Sequence, residues 1–138
     1  MRVSNSKQFA WLTAAVSLLL LLGCKSDPAN LKQVQQQRAG DYTVAILSDT
    51  GTLKQGSSNF TLEFRKSADN QLADVGKVEV SPVMEMSGMA PMMGGAEVTP
   101  TNTPGRYDVK GSLSMGGLWK VNVKFGDNQN VRFSLNAE

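Results

Sequence analysis

Residues 107–135 read YDVKGSLSMGGLWKVNVKFGDNQNVRFSL, and this stretch decides the fold class. Tyr107, Val109 and Leu113 alternate with Asp108, Lys110 and Ser112; Trp119, Val121, Val123 and Phe125 alternate with Lys120, Asn122 and Lys124. Val131, Phe133 and Leu135 repeat the pattern. A period of two with one polar face marks strands of an antiparallel sheet packed on one side. Paired residues in such a ladder share a face, so parity constrains the loops. A two-residue Gly116–Gly117 turn would set Leu113 opposite Lys120. A three-residue loop instead sets Met115 opposite Trp119, Leu113 opposite Val121 and Gly111 opposite Val123. The next hairpin sets Phe125 opposite Val131 and Val123 opposite Phe133. The expectation is a three-stranded meander from Tyr107 to Leu135, with Trp119 inward.

The same alternation extends upstream, through Tyr42, Val44 and Ile46, through Phe60, Leu62 and Phe64, and through Val78 and Val80. SDTG, SADN, TPG and GDNQN separate these runs as turn signals. Short strands at this spacing predict an all-β fold, an immunoglobulin-like antiparallel β-sandwich over residues 41–138.

The chain begins differently. Arg2 and Lys7 precede a fifteen-residue apolar run, Phe9 to Gly23, too short to cross a bilayer comfortably and typical of a secretory signal. It ends in LLGC, where Cys24 is the chain's only cysteine. This resembles the bacterial lipobox, which implies that residues 1–23 are a lipoprotein signal peptide and that Cys24 is acylated. Two or more acyl chains make a stable membrane anchor. The expected location is the bacterial cell envelope, facing the periplasm or exterior. Residues 24–40 have few large apolar side chains and read as a tether; the glutamines either form a short helix from Asp27–Pro28 to Gly40 or stay disordered. Fully extended, that tether would reach roughly 55–60 Å.

Composition narrows the function. No histidine is present, so His-based catalysis and His-ligated metal sites are excluded. Without Arg2 and Lys7, basic and acidic residues balance at twelve each, which argues against nucleic-acid binding. No Ser/His/Asp or Cys/His set can form and no phosphate-binding Gly loop is present, so a binding protein is expected rather than an enzyme.

The positive signal is PVMEMSGMAPMMGG, residues 82–95, which holds five of the seven methionines. Met84 and Met86 continue the inward parity of Val78 and Val80, and serve equally well as core or as functional groups. Met89, Met92 and Met93 lie among Gly88, Pro91, Gly94 and Gly95, in an expected surface loop. Such a loop folds back as a cap, docks a partner, or coordinates a soft metal. Thioether sulfur suits Cu(I) and needs no deprotonation. Met115, at a strand end, is placed to join the cluster. Glu85 has the opposite parity and reads as a solvated charge.

These two blocks, with Met84, Met86, Met89, Pro91 and Met92 in the first and Gly105, Tyr107, Met115, Gly117 and Trp119 in the second, resemble the YtkA-like domain family. The resemblance covers roughly Tyr42 to Leu135. It implies a small exported Ig-like sandwich, often a lipoprotein, associated with copper and heavy-metal handling. Family members proposed to bind metal often place histidine near the methionines; its absence here points to Cu(I) rather than Cu(II). The implied partners are the membrane, through the anchor, and a metal-handling or envelope protein. The alternative function is an interaction or structural envelope lipoprotein whose methionine loop docks a partner or caps the core.

Overall fold

The structure, a computed structural model, describes residues 30–138; the expected signal peptide, residues 1–23, and Cys24 lie outside them. Nine strands form among the described residues: β1 (Lys32–Ala39), β2 (Tyr42–Ser48), β3 (Gly56–Lys66), β4 (Val78–Met84), β5 (Met92–Met93), β6 (Gly95–Pro100), β7 (Arg106–Leu113), β8 (Gly117–Phe125) and β9 (Gln129–Ala137). Five make one sheet in the order β1-β2-β3-β7-β6, and four make the other in the order β5-β4-β8-β9. Every strand pair is antiparallel. With β2, β3, β7 and β6 as A, B, E and D, and β4, β8 and β9 as C, F and G, this is the immunoglobulin strand order. The strand β1 is an addition at the edge of the first sheet.

The alternation explains the packing. Val44, Ile46, Leu62, Phe64, Val109 and Leu113 project from the five-stranded sheet onto Trp119, Val121, Val123 and Phe133 of the other, and all are essentially water-free. Phe64 meets Tyr107 edge-on at 5.4 Å and tilts against Phe125 at 4.9 Å between ring centroids. On the outer face of β3, Glu63 is held between Arg65 at 2.5 Å and Arg106 at 2.8 Å. Arg106 is its cross-strand partner on β7.

Several expectations are corrected. The meander does not form: β7 pairs with β3 and β6, whereas β8 pairs with β4 and β9. Residues 114–116 therefore cross from one sheet to the other. Shared parity was sound, since Leu113 and Val121 both face the core, but they do so from opposite sheets. Met115 is not a ladder partner of Trp119; its carbonyl accepts a hydrogen bond from the indole Nε1–H at 2.9 Å. The β8–β9 hairpin does form, two residues tighter than expected, with Val123 opposite Val131 and Phe125 opposite Gln129.

The glutamine run is neither helix nor loose tether. From Lys32 it is strand β1, joined to β2 by the two-residue turn Gly40–Asp41 and lying alongside β9. Val34 packs against the core and Ala39 is buried within it. The sandwich thus starts at Lys32 instead of Asp41.

Candidate functional site

The connection between sheets brings the methionines together at one end of the sandwich. The strand β4 carries its inward parity through Pro82 to Met84, which is only 7% exposed. Beyond it, Met86 and Met89 flank a turn in which the Met89 N–H bonds the Met86 carbonyl at 3.3 Å. Gly88, with φ of 76°, occupies the third position of that turn, where a type II turn needs a left-handed residue. The chain then returns as β5, which pairs Met92 with Met84 and Met93 with Val83. The Gly94 N–H continues this pairing to the Pro82 carbonyl at 2.9 Å.

This register sorts the thioethers. Met92 and Met84 are cross-strand neighbours on the inward face of the sheet. Met93, the next residue along β5, projects to the opposite face and is 64% exposed. Met89, at the turn, is 68% exposed. Met86 is half-buried and packs against the core. The register therefore brings Met84 to Met92 and sets Met93 on the opposite face of the sheet.

The crossing loop closes over that pair. The Ser114 hydroxyl donates to the Met92 Sδ at 3.1 Å. A Cβ built on Gly117, the first residue of β8, would lie 3.3 Å from the Met84 Cε, so the backbone just after the loop runs directly against that methyl group. Between these contacts stands Met115, 44% exposed, its carbonyl tied to Trp119. Gly94 permits the fit from the other side: a Cβ there would meet the Ser112 carbonyl oxygen at 2.9 Å, the Pro82 Cβ at 3.0 Å and the Trp119 ring at 3.1 Å.

Glu85 lies outside this group. It pairs with Lys120 of β8. Its hydrogen bond and charge attraction to Lys120 hold the carboxyl below the usual range. Among the described residues there is no group of three or more His, Cys, Asp or Glu side chains able to hold a metal ion. The donor set at this end is thus thioether sulfur, a hydroxyl and backbone carbonyls. Of these, the thioether sulfurs are neutral, soft donors, whereas the hydroxyl and carbonyl oxygens are hard ones.

Ser114 was not singled out by sequence reasoning, because its contact with Met92 depends on the sheet crossing. Leu118 was not either, although its parity with Lys120 marks it as outward; it is 56% exposed.

Strand order and core define an immunoglobulin-like sandwich module whose one open end is lined by methionine. The chain belongs to the YtkA-like family, whose model matches residues 36–124, well over half of its length and all of the β4–β5 methionine block. No curated protein matches the chain.

Proposed function

We propose that this protein is an extracytoplasmic, lipid-anchored binding protein that takes up or delivers Cu(I) through its methionine cluster, without catalysing a reaction. The observation that carries the reading is the cross-strand pairing of Met84 with Met92, directly under the loop that bears Met115. Two thioethers fixed by sheet register and a third on an adjacent turn supply three sulfur donors, and the half-buried Met86, two residues beyond Met84, is the candidate fourth. Met115 stands at the exposed side, so an ion can enter by exchanging ligands there, while Met84 and Met92 are held by the core. The Ser114 hydroxyl occupies one lone pair of Met92 and leaves the other for a metal. Because no ligand loses a proton on binding, affinity should be nearly flat across the acidic range.

Copper K-edge absorption of the Cu(I)-loaded full chain tests this. The expected shell is sulfur-only, with three or four scatterers; a nitrogen- or oxygen-dominated shell would overturn it.

A second reading, a docking module for an envelope protein, is supported by the exposure of Met89 and Met93, which the metal site does not use. Retention of a partner that is lost on replacing Met89 and Met93, with copper irrelevant, would select it.

A further inference from the structure

Among the described residues the exposed large hydrophobic side chains are Met89, Met93, Met115 and Leu118. They share one end of the sandwich. Met93 neighbours Val83 on β5–β4, Val83 neighbours Lys120 on β8, and Leu118 follows on the same outer face. Met115 and Met89 top the adjoining turns.

A second observation concerns where the chain enters. Strand β1 begins at Lys32, opposite Ser48 at the close of β2. In the same sheet Gly56 stands opposite Leu113, and Gly95 opposite Ser112. Leu53 bridges to Ala137, which lies opposite Gly117 in the other sheet. The start of β1, the Met115 turn and the β4–β5 turn therefore all sit at one end. Eight residue steps separate Cys24 from Lys32, a reach of at most roughly 26–29 Å. That is about half the reach of a tether running to Gly40, because β1 takes up the rest.

From these two observations we infer that the methionine end rests on a lipid surface, with Met89, Met93, Met115 and Leu118 against the bilayer interface. A short tether that emerges at the apolar end holds that end towards the membrane, whereas emergence at the other end would direct it to solvent. Lys120, on the outer face beside Leu118, is paired with Glu85, and Glu138, next to the Gly117–Ala137 pair, is the acidic residue at the rim of the patch. This orientation rests on the anchoring part of the proposed function and not on copper. If both hold, the site would load and unload at the membrane face.

The test uses the full acylated chain in phosphatidylethanolamine–phosphatidylglycerol vesicles, with no copper added. Single nitroxide labels are placed through Met93→Cys, Leu118→Cys and, in the exposed turn at the far end, Ala68→Cys. Relaxation by oxygen, which concentrates in lipid, is compared with relaxation by an aqueous nickel chelate. The expected oxygen-to-nickel ratio at positions 93 and 118 is several-fold higher than at position 68. Equal ratios at the three positions would overturn the inference. Loss of nickel access without oxygen gain, seen only in native membranes that retain their proteins, would also overturn it and assign the surface to a protein partner. A second labelled thiol per chain would show Cys24 free and remove the premise, independently of any copper result.

Discussion

Replacing Trp119 tests the junction on which both core and site depend. Its side chain is wholly buried, and it stands opposite Leu135 on β9. A buried aromatic hides about 150–250 Å², so at about 25 cal/mol per Å² its burial contributes roughly 4–6 kcal/mol as an upper bound. Truncation to alanine should cost about 3–5 kcal/mol. Trp119→Phe separates ring from hydrogen bond. It keeps most of the apolar area but loses the indole bond to the Met115 carbonyl, a net loss of about 0.5–1.5 kcal/mol because that exposed turn can be solvated. A small packing defect brings the expected total to about 1–2 kcal/mol. For the chain from Lys25 onward, at roughly 4 °C per kcal/mol, the melting point should fall by about 12–20 °C for alanine and about 4–8 °C for phenylalanine. Circular dichroism is the assay, since the mutation removes the fluorophore. An alanine variant within about 0.5 kcal/mol of wild type would place the ring at the surface and refute the packing. A phenylalanine variant as damaged as the alanine one would show that the indole N–H, not the ring, carries the stability.

Two further outcomes follow from local geometry. Gly94→Ala should lose about 1–3 kcal/mol in urea unfolding, because its methyl would press on the Ser112 carbonyl, Pro82 and Trp119; a gain in stability would contradict that close approach. Acid should destabilise the far end: Asp74 accepts from the Gly76 N–H at 2.9 Å and from the Tyr107 hydroxyl at 2.9 Å, which lowers its pKa from 3.8. A depressed folded-state pKa gives stability that is present above the unfolded value and lost as pH falls through the folded one. The urea midpoint of wild type should therefore drop below about pH 4, and Asp74→Asn should flatten part of that drop; Glu79 and Glu85, also lowered by their lysine partners, leave the remainder. An unchanged acid profile in Asp74→Asn would exclude the contribution of that turn.

The six strands legible in the sequence, β2, β3, β4, β7, β8 and β9, each carry two or more large apolar residues at period two. The three that were not, β1, β5 and β6, are all sheet edges. An edge strand is legible where it still faces the core, as β9 does with Val131, Phe133 and Leu135; an edge strand that buries little, as β1 does with Val34 and Ala39 and β6 with Ala96 and Val98, is not. Its alternation is correspondingly faint, and polar sequence there is protective. The meander failed for a different reason. Parity shows which face of a strand is buried but not which strand lies beside it, because residues from opposite sheets of a sandwich share one core. The site inherited both problems: the methionines were visible, but their grouping depended on β5 and on the crossing at residues 114–116.

The most direct measurement is a Cu(I) titration of the full chain against a chelator of known affinity, with two double variants beside the wild type. Leucine for methionine conserves volume and usually costs less than about 1.5 kcal/mol, so folding should survive in both. The account predicts that wild type binds Cu(I), that Met84→Leu/Met92→Leu loses binding, and that Met89→Leu/Met93→Leu retains it. A wild type that binds no Cu(I), or a loss that follows Met89 and Met93 instead, would contradict the site.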